Sequence, residues 1–138
     1  MSSMWGGGKV WPFSTDEQPP YPSISAQVAN PEEPSRSEQE TLQVDTGFSG
    51  PIALGAKLIE TLALKPIGRV PIRTAAGYTE TLLYRVLLTQ RDLGIANRGI
   101  TAIGTVKSLL GRSLLEPHRW LLDFQKRQLT LLSNARTE

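Results

Sequence analysis

The 138-residue chain has four aspartates, and one of them heads the tripeptide Asp45-Thr46-Gly47, which occurs once. The tripeptide offers in order a carboxylate, a hydroxyl and a residue without a side chain. A carboxylate can take a proton from water and return it to a leaving group. A neighbouring hydroxyl can brace it, and glycine lets backbone N–H groups come close to it. The lead-in Thr41-Leu42-Gln43-Val44 alternates polar and apolar, as a half-buried strand does. The same letters also spell an Asx-turn ending a strand, and three residues alone do not separate the two readings.

Two further segments bear on the choice. Leu109-Leu110-Gly111-Arg112-Ser113-Leu114-Leu115 resembles the apolar-apolar-Gly-Arg element near the end of retroviral-type aspartic proteases, where it leads into a short helix behind the catalytic loop. Val44-Asp45-Thr46-Gly47-Phe48-Ser49-Gly50 is similar to the form found in bacterial single-domain members, and Leu121 to Leu131 resembles their closing β-hairpin. The resemblance to the retropepsin-like family covers about Thr41 to Leu132, with its pieces in the family's order. It implies a small closed β-barrel with one or two short helices and a flap hairpin. It also implies an aspartic endopeptidase with Asp45 as catalytic carboxylate. Thr46 would brace the dyad by a bond to the partner's backbone, and Gly47 would approach the substrate backbone. Leu109, Leu110, Gly111 and Arg112 would form the structural element behind the site.

The chain departs from the family in several places. Retroviral members usually carry an aspartate two residues past the motif's glycine, paired with the arginine of the later element; here Ser49 stands there, while Arg112 remains. Arg112 then needs another acceptor or serves as packing and surface charge. Phe48 is bulkier than the usual alanine or serine, so the nearest substrate subsites should differ. The flap carries one glycine where retroviral flaps have several, and should be stiffer. Neither chain end looks suited to weave into a shared sheet, which points to a weak dimer.

Peptide hydrolysis by this chemistry uses two carboxylates facing one water, one ionised and one protonated. Asp16, Asp92 and Asp123 are not followed by Thr-Gly or Ser-Gly. The second carboxylate must then be Asp45 of another copy, and a two-fold homodimer supplies it.

The elements that must position these residues follow from patterning. Residues 21–28 read as a first strand, and 30–36 as a long polar turn back into the strand that delivers Asp45. Leu54, Leu58, Ile59 and Leu62 recur at helical spacing, predicting that residues 52–62 hold a short amphipathic helix that Pro66 stops from continuing. Residues 69–74 and 79–88 alternate around Ala75-Ala76-Gly77, predicting a hairpin. In the resembled family that hairpin is the flap, with Ala75, Ala76, Gly77 and Tyr78 at its tip; otherwise it is an ordinary surface hairpin. Pro71 suits an edge strand. Residues 90–98 read as a polar loop and 99–103 as a strand. Trp120-Leu121-Leu122 and Leu129-Thr130-Leu131 pair across Gln125-Lys126-Arg127.

Length and a hydrophobic content of 39% support one domain. The expected division is a disordered Pro/Gly-rich acidic tail over 1–19, a folded domain over 20–133 and a short tail over 134–138. Residues 1–41 hold two basic and six acidic side chains with six of the ten prolines; the rest holds thirteen basic and seven acidic. The acidic tail, with Trp5, Trp11 and Phe13, could carry a partner motif or dock on the basic body, even across the cleft. Cations of the body are spread singly without stacking aromatics, which argues for a solvated surface and against a nucleic-acid partner. There is no cysteine, which excludes disulfides and thiol chemistry. His118 is the only histidine, so a metal site is not expected; it reads as a surface or capping residue. Gly6-Gly7-Gly8-Lys9 lacks the second half of a phosphate loop. No cofactor is implied. No apolar run is long enough to span a bilayer and the start lacks a signal profile, so the expected setting is cytoplasmic, without a membrane partner. The expected partners are a peptide or protein substrate and a second copy of the chain. The competing reading is a non-catalytic module that uses the same fold to hold peptides or proteins.

Overall fold

A computed structural model of the protein describes residues 8–132. It is mainly β. Strands β2 (Ser23–Asn30) and β3 (Glu33–Val44) form a long antiparallel hairpin that delivers the chain to Asp45. β4 (Ile52–Gly55) runs straight into helix α1 (Ala56–Thr61). β5 (Gly68–Thr74) and β6 (Gly77–Gln90) form a second hairpin, and β7 (Ile95–Thr105) returns along β6. β8 (Leu109–Leu110) and helix α2 (Arg112–Leu115) follow, then the hairpin of β9 (Trp120–Asp123) and β10 (Gln128–Leu131).

The large sheet has the strand order β2-β3-β8-β4-β7-β6-β5, and β2 also pairs with β6 through Val28 and Leu88. Pairing therefore runs round in a ring of six strands, with β5 left on the edge. Side chains pointing into the ring form the core. Ile24, Val28, Leu42, Ile52, Leu54, Leu62, Val86, Leu88 and Leu110 are all essentially inaccessible to water. Each contributes about 1.5–3 kcal/mol by burial, which is what keeps a ring of mostly short strands closed.

Several expectations hold and several are corrected. The hairpin around Ala75-Ala76 forms with Thr74 opposite Gly77, and Pro71 does lie on an edge strand. The closing hairpin pairs Leu122 with Leu129 and Leu121 with Thr130. The short helix expected within residues 52–62 forms over 56–61, but Leu54, counted in its spacing, lies in a strand over 52–55. β4 lies between β7 and β8, so all four of its residues are buried and no alternation is visible. The turn after Asn30 is also shorter than expected. The Asn30 side chain accepts the N–H of Glu32 at 2.8 Å and donates to the Leu62 carbonyl at 2.9 Å, so β3 starts at Glu33. Residues 90–98 are not a loop. Gln90 caps a 3-10 turn (Arg91–Leu93) by accepting the Asp92 N–H, Gly94 takes a left-handed φ of 74°, and β7 begins at Ile95.

The largest correction concerns the N-terminus. Residues 9–19 are not a detached tail: β1 (Lys9–Pro12) pairs antiparallel with β10, making a three-stranded sheet β1-β10-β9. Trp11 and Phe13 are buried, with Trp11 against Trp120 at 6.2 Å between ring centroids and Phe13 edge-on to Phe124 at 5.7 Å. A short bridge between Ser14 and Tyr21 closes the intervening loop. Trp5 and the expected tail over 134–138 lie outside the described residues. Among the described residues no helix is long and apolar enough to cross a membrane.

Candidate active site

Asp45 follows the last residue of β3, and the backbone there is held on both sides. Strand geometry makes successive amides point to opposite edges. Gln43 and Asp45 donate to the carbonyls of Ser108 and Leu110 on one side, and Val44 donates to Pro22 on the other, each at 3.0 Å. β8 lies parallel to β3 and antiparallel to β4, so it is inserted between the two strands that the Asp45 loop connects. The loop closes on β8's far end. The N–H of Gly111 donates to the Pro51 carbonyl and that of Arg112 to the Phe48 carbonyl, both at 2.8 Å. Asp45-Thr46-Gly47 and Leu109-Leu110-Gly111-Arg112, 64 positions apart at their first residues, are thus brought into one backbone network.

Within the loop the Asp45 Oδ1 accepts the Gly47 N–H at 2.9 Å, and the Asp45 carbonyl accepts the Phe48 N–H at 3.2 Å. This is the Asx-turn that the tripeptide alone suggested. It occupies one carboxylate oxygen and leaves the half-buried group otherwise able to meet water or a ligand, so turn and reactive carboxylate are compatible. Thr46 and Gly47 are exposed beside it.

The tight points of the site are glycines. A Cβ on Gly111 would run into the Gly50 carbonyl and come within 2.7 Å of the Phe48 ring; one on Gly50 would come within 2.8 Å of that ring. Phe48 is therefore committed to packing against the two glycines. Its bulk, read in the sequence as a modifier of substrate subsites, fills the space behind the loop.

Arg112 is exposed, and among the described residues no carboxylate pairs with it. Its backbone, not its guanidinium, makes the contact to the Asp45 loop. Helix α2 turns the chain away from the site, burying Leu114 and Leu115. His118 is half-buried and edge-on to Trp120, with its backbone N–H donated to the Leu115 carbonyl at 3.1 Å.

The hairpin of β5 and β6 ends in Ala75, Ala76, Gly77 and Tyr78. Gly77 adopts φ 114°, which only glycine takes without strain. The Thr74 hydroxyl accepts from the Ala76 N–H at 3.2 Å and donates to the Gly77 carbonyl at 2.9 Å, fixing the tip. Tyr78 is 75% exposed and stacks under Arg73. An exposed ion pair, Arg69 with Glu80, spans the two strands.

Sequence reading missed a group that supports the site. Ser108 is buried; its hydroxyl donates to Glu40 at 2.6 Å and accepts the Gly55 N–H at 2.8 Å, joining β3, β4 and the approach to β8. Beside it, Lys107 lies 3.6 Å above the Tyr21 ring and 2.9 Å from the Glu17 carboxylate. Burial pushes the Lys107 ammonium's pKa down, but the neighbouring Glu17 carboxylate and Tyr21 outweigh this and hold it above the ordinary lysine value. The Tyr21 hydroxyl, with Ser14 and Lys107 helping, holds the Asp16 carboxyl below the usual carboxylate range. Asp16, Tyr21, Lys107 and Ser108 line a mixed-charge cleft of about 340 Å³ with Glu40, Lys57 and Val106; a second cleft, about 560 Å³, lies between Asn30, Leu64, Ile67 and Arg85. Asp45 lines neither.

The chain matches no family model, and no curated protein is a match to it.

Proposed function

We propose that this chain is a retropepsin-like aspartic endopeptidase, active as a homodimer, whose ring of strands is the family's small barrel. The observation that carries the reading is the convergence of Asp45-Thr46-Gly47 with Leu109-Leu110-Gly111-Arg112: β8 sits between the strands flanking the Asp45 loop, and the loop's carbonyls receive the amides that follow β8.

In the mechanism, two Asp45 carboxylates from two copies face one water across a two-fold axis. At close range they do not both ionise, so they share a proton and titrate as a coupled pair. The ionised member removes a proton from the water as its oxygen attacks the scissile carbonyl carbon. The protonated member donates to the carbonyl oxygen, giving a neutral tetrahedral diol. Collapse returns a proton to the leaving nitrogen and breaks the C–N bond. Gly47 holds the inner carboxylate oxygen, Thr46 braces the paired loops, and the Gly77 hairpin covers an extended peptide. Substrates are extended chains with apolar residues near the scissile bond.

The three-stranded sheet is the candidate contact between copies. Its outer face carries Val10 and Leu121 on either side of Thr130, both exposed, and β9 has one edge without a strand partner among the described residues. Because β1 already pairs within its own chain, the two copies do not need to exchange strands.

The test is cleavage of an unfolded protein between pH 4 and 7, comparing wild type with Asp45→Asn, with and without a statine-type inhibitor. The reading expects bell-shaped, inhibitor-sensitive activity that the variant lacks. An inactive wild type, at concentrations where light scattering shows a dimer, would favour the peptide-holding module instead.

A further inference from the structure

Three consecutive amides, those of Gln43, Val44 and Asp45, hang on carbonyls from two segments that flank the end of β3. Pro22 is the acceptor on one side, and Ser108 and Leu110 are the acceptors on the other. The residue immediately before Pro22 is Tyr21, and the residue immediately before Ser108 is Lys107. These two touch: the ammonium lies 3.6 Å from the centroid of the ring, closer than either other cation–ring contact among the described residues.

We infer that the Lys107–Tyr21 contact is a bridge across the end of β3 that positions Asp45, so that Lys107 is a positioning residue for the proposed catalytic carboxylate. The inference rests on the reading of Asp45 as catalytic. Ser108 is already tied to β3 and β4 through its hydroxyl, and the bridge adds the link between its segment and that of Pro22. Loop 14–21 is closed by one two-way backbone bridge, and residues 106–108 form an irregular link between β7 and β8. Clamped together, they keep their carbonyls at the spacing that three successive strand amides require. Glu17 supports the bridge from outside, 2.9 Å from the ammonium, and Tyr21 is itself buried. A partly desolvated cation over an aromatic face is among the stronger versions of this contact, and the side chain of Lys107 is only 27% exposed. Val106, next in the chain and 98% exposed, gives the loop no hold of its own.

The experiment uses the full chain and two readouts. Amide hydrogen exchange is followed at Gln43, Val44 and Asp45 against the core amides of Val86 and Leu88, and kcat and KM are measured on the unfolded-protein substrate. In Lys107→Met the three amides should exchange about tenfold or more faster with the core amides unchanged, as a local opening does, and kcat should fall at unchanged KM. Lys107→Arg, which keeps a cation over the ring, should restore both. Tyr21→Phe keeps the ring and loses only the hydroxyl, so its three amides should match wild type. Should Lys107→Met fold poorly, Tyr21→Leu removes the bridge from the other side and must give the same local pattern. Unchanged exchange at residues 43–45, or equal acceleration throughout the core, overturns the bridge. A wild type without activity defeats the catalytic reading, and the exchange data still decide the bridge.

Discussion

At Asp45 the carboxylate has two separable roles, accepting the Gly47 N–H through Oδ1 and meeting water or a ligand. Asparagine keeps the first and loses the second, since an amide oxygen accepts the same bond but does not take up the water's proton. Asp45→Asn should therefore abolish hydrolysis, by at least about a thousandfold on the usual scale of general acid–base contributions, while the thermal midpoint stays at the wild-type value. Activity near wild type would remove the mechanism. Gly111 bears the opposite kind of load. A methyl group there meets the Gly50 backbone and the Phe48 ring, neither of which can give way without moving the loop. Gly111→Ala should cost about 1–3 kcal/mol as an overpacked site, read from the denaturant midpoint, and should lower cleavage as well because Gly111 and Arg112 anchor the loop. Lys107 adds a pH signature. Its folded-state pKa is raised, so its stabilisation is complete below the ordinary lysine value and is lost as pH rises through the higher folded value. The stability gap between wild type and Lys107→Met should be flat through neutral pH and close only on the strongly alkaline side, which thermal melts across pH will show.

Elements were legible where their signal is local. The β5–β6 hairpin has alternation on both arms and a two-residue turn, and β9 and β10 are short apolar runs joined by four mostly polar residues, so both hairpins could be read without knowing what they pack on. The Asp45 loop and the Gly111 element were legible as motifs, but the backbone bonds that join them depend on β8 being inserted between β3 and β4, which no local pattern encodes. β4 was misread because a strand buried on both faces shows no period of two, while Leu54 and Leu58 happen to continue the helical spacing of α1. β1 was missed for a different reason. Lys9-Val10-Trp11-Pro12 is short, preceded by glycine and ended by proline, and its partner β10 lies at the other end of the chain. Its strand character comes from that pairing and from Trp11 entering the core beside Trp120. Trp11→Ala should accordingly destabilise the whole fold by about 3–5 kcal/mol, as large-to-small core substitutions do. The measurement is urea unfolding of the full chain; a loss below about 0.5 kcal/mol, the size of an ordinary surface change, would mean that β1 is dispensable.

For the whole molecule the decisive property is that one chain supplies one Asp45. If each active site is shared by two copies, a mixed dimer of wild type and Asp45→Asn holds one aspartate and one asparagine and has no partner to exchange a proton with. Random exchange of equal amounts leaves about one quarter of the dimers fully wild type, by the statistics of a two-fold assembly. Activity per total protein should then fall to about a quarter of the pure wild-type value, whereas independently acting chains would retain about half. The contact surface can be probed in the same assay. Leu121 sits on the outer face of the three-stranded sheet, away from Trp11 and Leu129 on the inner face, so Leu121→Glu places a charge at the proposed contact without touching the core. It should leave unfolding within about 0.5 kcal/mol of wild type, the usual range for a surface substitution, yet shift the monomer–dimer midpoint by at least about tenfold in concentration, the cost of desolvating an unpaired carboxylate in an interface. Light scattering gives the midpoint and hydrolysis follows it, since activity that depends on a shared site must rise with the dimer fraction. If dilution leaves specific activity constant down to concentrations where only monomer scatters, the shared-site geometry is wrong even if Asp45 proves essential.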